Sequence, residues 1–399
     1  MSLYPTKFRK MSQTSAVILL FVSFFALNGS ALGQSRSGND GPLRYIFDLR
    51  AVDSDDAGQQ TPRFVCGSNV RPMTDMGHFF SFYKPTSTQS VIDPKAMNAF
   101  AHRAWPTWVV MAKLLAAVNA GATSHANRQA AANCITQQLI SWAKQDALLG
   151  NLDENDLLGR RQAVMISGWT AVGLANAYAF ATQASPHSDG ADRIISPWFQ
   201  RLSDRLVSEF APPAAPRPHQ YQWLDDNNNV RDWAGASVGL LSVQLQDRTK
   251  FDWAMTILHN ALDLAPDDGA LPRELGRGRR ASHYQNFAMQ ALSYLVALAD
   301  ANNVALSDLQ EKRLEAIARF SAEAYQSPKL VEARTGYAQE DLKPEMVSWI
   351  DIILPHIRKR DEALAHELEE IARPLRPLSD TFVALPTTVF FNGTTDKGN

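Results

Sequence analysis

Four arginines fall within the eight residues Arg273-Glu274-Leu275-Gly276-Arg277-Gly278-Arg279-Arg280, and Tyr284 follows Arg277 by seven positions. Seven residues are almost two turns of an α-helix, so a helix that begins by Arg277 puts Arg277, Arg280 and Tyr284 on one face. A guanidinium within about 4–6 Å of a phenol favours the phenolate and lowers a tyrosine pKa from its usual value of about 10. A base working near neutrality becomes available. The plain alternative is a packed tyrosine beside a solvated arginine face, and spacing alone leaves both readings open.

A second polar run, Asp225-Asp226-Asn227-Asn228-Asn229-Val230-Arg231-Asp232-Trp233-Ala234, ends where helical periodicity resumes. Asp and Asn at such a place are first of all helix caps, because their side chains accept the unpaired amide protons of the first turn. An asparagine amide also donates well to a carboxylate.

These side chains need a scaffold. From Asp93-Pro94, an N-cap followed by a first-turn proline, apolar residues recur at helical spacing to about residue 371. Helices are expected near 94–119, 127–148, 159–184, 192–210, 230–246, 250–264, 278–301, 307–326, 343–357 and 360–371. Strand-like text is confined to Thr381-Phe382-Val383-Ala384-Leu385 and Val389-Phe390-Phe391. The chain therefore reads as all-α. Its short connections imply antiparallel hairpins in one domain over 94–399, which closes with a short C-terminal extension. Residues 34–93 form a polar, loop-like N-terminal region.

The composition, 45% hydrophobic and 20% charged over 399 residues, excludes a disordered or low-complexity chain. A formal charge of −2 offers no broad basic field for nucleic acid, so an anionic ligand must meet a local patch. Lys7, Arg9 and Lys10 precede the apolar run Ala16 to Leu27 and then Ala31-Leu32-Gly33, the pattern of a secretory signal peptide over 1–33. That run falls short of the roughly 20 residues needed to span a bilayer. No membrane association is expected after cleavage, and the location is read as exported, periplasmic or secreted. There, Cys66 and Cys134, the only cysteines, are expected to pair. By loop entropy the bond is worth about 4 kcal/mol, and two buried free thiols are the alternative. The nine histidines are dispersed without metal-ligand spacing, so neither metal nor organic cofactor is expected.

Both polar segments resemble those of the alginate lyases of polysaccharide lyase family five, also called mannuronate lyases. The family pattern Asn-Asn-His, two residues, Trp-Ala meets Asn228-Asn229-Val230 and Trp233-Ala234 here. Its second pattern meets Gly269, Leu271-Pro272, Glu274-Leu275, Arg277, Tyr284 and Gln285-Asn286-Phe287-Ala288. The likeness continues through Cys134, Trp142-Ala143, Asp146 to Leu149, Arg193-Ile194, Trp198-Phe199, Thr335-Gly336, Asp341-Leu342-Lys343 and Ser348-Trp349. It implies an incomplete double toroid of antiparallel helix hairpins around a long cleft, and β-elimination on a polyuronate.

In that reaction a base takes the C5 proton α to a carboxylate, the carboxylate charge is neutralised, and an acid protonates O4 as the C4–O4 bond breaks. The resemblance assigns Tyr284 to proton transfer and Arg277 and Asn229 to neutralisation. Asn228, Arg280, Trp233 and Trp349 are expected to bind substrate. The loop 78–90 is similar to a flexible lid, with Tyr83 and Lys84 touching substrate. Trp142, Trp198, Trp233 and Trp349 can each stack on a sugar ring, although at helical spacing each reads more readily as core. The implied partner is an anionic polysaccharide, without nucleic acid, and the implied state a monomer.

One departure stands out: Val230 occupies the position of the family's active-site histidine, and Asp232 that of its usual tyrosine. Valine transfers no proton, which leaves a syn elimination through Tyr284 as the first reading. His283, His219 and His78 are the candidate substitutes, although a 100° rotation from Tyr284 points His283 elsewhere. Two other readings stay open. One is a toroid glycoside hydrolase using two of Asp225, Asp226, Asp232 and Glu274; the other is a non-catalytic polyuronate-binding protein of an exopolysaccharide export system.

Overall fold

A computed structural model of the protein describes residues 41–52, 62–86, 88–153, 156–185, 189–211 and 228–392. The expected signal peptide, His219, Asp225 and Asp226 lie outside the described residues. Thirteen α-helices follow one another within them: α1 (Pro94–Thr123), α2 (His125–Ala143), α3 (Leu157–Ala184), α4 (Asp189–Glu209), α5 (Asn229–Leu245), α6 (Arg248–Asp263) and the single turn α7 (Pro272–Leu275). Then come α8 (Ala281–Ala301), α9 (Asp308–Gln326), α10 (Pro328–Thr335), α11 (Trp349–Arg358), α12 (Glu362–Ala372) and α13 (Thr387–Phe391).

Local chemistry sets most of the starts. Asp93 accepts from the amides of Lys95 and Ala96 ahead of Pro94, and Asp156, Asp247 and Asp361 cap α3, α6 and α12 in the same manner. Ser307 and Gln310 form a reciprocal capping box on α9.

The helices pair as hairpins in two rows. α1, α3, α5, α8 and α11 pack against one another in that order, while α2, α4, α6, α9 and α12 form a second row against their backs. α3, α5 and α8 are buried over most of their length between neighbours. α3 has the length and apolarity to cross a membrane, yet most of it is buried against α1, α2, α4 and α5. This is the incomplete toroid of helix hairpins that the sequence implied.

The C-terminal text read as strand is not strand. Thr381–Val383 form a 3-10 turn capped by Asp380, Thr387–Phe391 form α13, and one bridge joins Asp380 to Leu385. β-branched and aromatic residues gave the segment its strand-like composition, but among the described residues no strand pairs with it. Its side chains instead plug the opening between the two ends of the ring, where the 3-10 turn meets α1 and α3 and α13 meets α1 and α11. Arg376 fastens the plug through Asp351 at 2.8 Å and Glu369 at 3.0 Å.

The N-terminal region straps the outside of the rows by giving its backbone amides to side-chain amides. Leu43 donates to Gln246 at 2.9 Å, Arg44 to Asn302 at 2.8 Å and Val70 to Gln138 at 2.8 Å. A disulfide between Cys66 and Cys134 ties the strap to α2. Replacing both cysteines by serine is expected to cost about 3–4 kcal/mol through the freed unfolded chain, a fall in Tm of roughly 5 °C. Scanning calorimetry without reductant checks this, and an unchanged Tm contradicts it.

Candidate active site

The turn from α7 into α8 shapes the site. Gly278 has φ +55°, and a Cβ there would lie 3.1 Å from a Thr88 side-chain carbon, so this left-handed corner and its close approach both favour glycine. The corner delays α8 to Ala281, whereas one-face convergence had presumed a helix starting by Arg277. Convergence is achieved by the turn instead. Arg277 folds back until its guanidinium carbon sits 3.7 Å from the centre of the Tyr284 ring.

The loop 78–90 completes the arrangement. Its base is pinned where Lys84 donates to the Val91 carbonyl at 2.8 Å and Asp93 to the Phe82 carbonyl at 2.9 Å. Its tip is held by Arg277, whose Nε and Nη2 donate to the carbonyls of Thr88 and Gln89 at 3.2 and 2.8 Å. Tyr83, on the loop, thereby brings its hydroxyl 2.6 Å from that of Tyr284.

Arg280 donates to the same Tyr83 oxygen and pairs with Glu340 at 3.2 Å. Burial pushes the Tyr83 pKa up, with the Tyr284 charge adding and the two arginines opposing, so Tyr83 keeps its proton. Its oxygen accepts from Arg280 and shares a hydrogen bond with the Tyr284 hydroxyl in which either phenol can donate. A hydrogen-bonded chain, Arg280 to Tyr83 to Tyr284, ends on one phenolic oxygen.

Tyr83, Arg280, His283 and Tyr284 line a cavity of about 400 Å³. Its walls are mostly aromatic and apolar, with Phe100, Trp108 and Trp169 from α1 and α3, and Phe382 from the C-terminal plug. Gln290, Glu345, Asp380 and Thr381 add polar groups to the lining. The sequence offered little signal for these, because Trp108 and Trp169 repeat at the spacing of ordinary core residues. Asp380 was hidden in text read as an extension.

Several expected site residues are placed elsewhere. Asn228 caps α5, accepting from the amides of Val230 and Arg231. Asn229 is buried, and both its backbone N–H and its Nδ2 donate to Glu274, at 2.9 and 2.8 Å. Its amide is therefore engaged by a carboxylate of the protein. Trp233 and Trp349 are fully buried, donating to the Phe287 carbonyl and Asn286, and Trp142 and Trp198 are likewise core. An indole enclosed on both faces offers no platform for a sugar.

Lys84 stays exposed and does not line the cavity. Val230 packs against the small buried cluster of Val164, Leu206, Phe210, Ala234 and Val238. Asp232 and Glu274 are buried outside the cavity; burial raises both pKa values, and their mutual charge adds to the effect on Asp232. They do not flank a bond placed in it.

His283 departs from expectation in the opposite sense. Its ring lies 5.2 Å from that of Tyr284, edge to face, stacks on Phe287 and lines the cavity. The 100° rotation still reaches the cavity because Phe287 and Tyr284 bracket a wide opening.

Burial raises the Asp380 carboxyl to about 7, with Glu345 adding, against hydrogen bonds from the amides of Phe382 and Val383. The folded state thus binds this proton more tightly than the unfolded chain, whose carboxyl titrates near 4. The stabilising contribution is complete below about pH 4 and is lost as pH rises through about 7, a loss of at most about 4 kcal/mol. Asp380→Asn is expected to flatten the dependence of unfolding free energy on pH over that window. Denaturant titrations at several pH values check it; parallel curves for both proteins contradict it.

Known proteins bear on this geometry. The family model described as Alginate lyase matches residues 81–331. An alginate lyase of Pseudomonas fluorescens strain SBW25 is 29% identical over 225 residues, 55% of this chain and 56% of that protein, so the chain matches just over half of that relative's length. An alginate lyase of Pseudomonas entomophila is 26% identical over 336 residues, 82% of this chain and 84% of that one. Among solved structures, alginate lyase A1-III of Sphingomonas species A1 matches with a TM-score of 0.64 at 18% identity, covering 87% of this chain and 97% of that chain. A variant of A1-III complexed with tetrasaccharide matches with a TM-score of 0.65, also at 18% identity, over 89% and 96% of the two chains. These structural likenesses concern the fold.

Proposed function

The chain belongs to the alginate lyase family, and on that premise we propose that it cleaves a mannuronate-rich alginate, or a related polyuronate, by β-elimination. The observation that carries the reading is the hydrogen-bond chain from Arg280 through Tyr83 to Tyr284, which lines the cavity, with Arg277 laid over the Tyr284 ring.

In this reading Tyr284 takes the C5 proton as a phenolate, C4–O4 breaks as the C4–C5 double bond forms, and the phenol returns the proton to the leaving O4. In mannuronate the C5 proton and O4 share one face of the sugar, so one phenol serves as base and then as acid. Guluronate places them on opposite faces and needs two groups. Val230 supplies none. The arginines add positive charge where the carboxylate becomes enediolate-like. The N-terminal signal-like text and the disulfide support an exported, periplasmic or secreted, enzyme.

Digestion in heavy-oxygen water tests the reaction class. Elimination leaves new reducing ends free of heavy oxygen and gives the vinylic C4 proton in NMR spectra, whereas a hydrolase labels every new end. Labelled ends would overturn the reading.

A further inference from the structure

Enediolate formation needs more than positive charge nearby: a donor must meet the carboxylate oxygen on which charge grows. Asn229 gives its side-chain amide to Glu274, Arg277 is clasped to the loop carbonyls, and Arg280 is tied to Tyr83 and Glu340. His283 is free of such ties. Neither of its ring nitrogens has a hydrogen-bond partner among the described residues, its ring lines the cavity beside Tyr284, and stacking on Phe287 at an interplanar angle of 18° fixes the plane in which its N–H points.

Resting on the elimination proposed above, we propose that His283 is a second catalytic residue, donating a hydrogen bond to the carboxylate of the uronate whose C5 proton Tyr284 removes. No atom is transferred through it; the N–H shortens its contact as charge moves from C5 onto the carboxylate. Burial, and then the charges of Arg280 and Arg277, lower the imidazole pKa to about 3, so it meets substrate as a neutral ring with one N–H. The arginines supply the charge and His283 the aimed donor.

His283→Phe keeps a ring on Phe287 and removes the donor. On a poly-mannuronate substrate its kcat is expected to fall about a hundredfold, the loss typical of one oxyanion donor, with KM changed far less. His283→Gln, which restores an amide N–H, is expected to recover about tenfold of that loss. The fall in kcat with KM nearly kept, together with rescue by the amide N–H, is the readout that a merely structural role would not move.

An unchanged kcat in His283→Phe overturns the assignment while leaving the lyase reading intact, as does a His283→Gln variant that recovers none of the lost kcat. A wild-type protein that forms no unsaturated product overturns both together.

Discussion

Tyr284→Phe should lower kcat on poly-mannuronate by about ten-thousandfold while leaving the fold intact. The substitution removes one oxygen, and that oxygen is the terminus of the chain Arg280 to Tyr83 to Tyr284. The ring itself remains, so the contact with the Arg277 guanidinium and the edge-to-face packing with Phe287 persist. Proton transfer by a positioned side chain is worth about 10²–10⁴, and in the proposed elimination one group performs both the abstraction and the return. The upper end of that range is expected, with KM within a few-fold because the cavity walls are unchanged. Steady-state rates from the ultraviolet absorbance of the unsaturated uronate check this. A variant retaining a tenth of the wild-type kcat would require another base.

Arg277→Ala is expected to lower kcat/KM by about a thousandfold. Three contacts are lost together: the bonds to the carbonyls of Thr88 and Gln89 and the stack on Tyr284. The first two hold the tip of loop 78–90, and through the loop they hold Tyr83 against Tyr284. The lost positive charge lies against the ring of Tyr284 rather than in the cavity, and loss of Tyr83 positioning adds to its effect. Arg277→Lys should recover no more than about tenfold, since an ammonium lacks the flat face and the fork that hold a ring and two carbonyls at once. Hydrogen exchange at residues 84–90 should quicken in both variants. Near-wild-type activity in the lysine variant would show that charge alone suffices and that the clasp is dispensable.

Local signals were legible wherever a residue acts on its own neighbourhood. Asp93, Asp156, Asp247 and Asp361 start helices because a side-chain oxygen caps amides two or three positions away, and such a rule reads directly from sequence. Ten helical segments in hairpins followed from this and from periodicity. The pairing of Arg277 with Tyr284 was legible too, though by a turn at Gly278 whose positive φ no spacing rule reveals.

Partners distant in sequence were not legible. Asn229 is bound by Glu274, 45 residues on, and Asp380 reaches the cavity from the last part of the chain. Trp233 and Trp349 carried the same aromatic signal as Trp108 and Trp169, yet burial separates them, the first pair in the core and the second on the cavity wall. That distinction is made by packing between helices. His283 shows the converse: helical rotation argued it away from Tyr284, but a cavity wide enough to span two faces of α8 admits both.

The most direct test of the account compares poly-mannuronate with poly-guluronate, following unsaturated uronate by ultraviolet absorbance with the wild-type protein and Tyr284→Phe side by side. A single phenol working on one face predicts a steady rise on poly-mannuronate that Tyr284→Phe abolishes, and little or none on poly-guluronate. Equal rates on both polymers, or a rise that survives loss of the phenol, would contradict it.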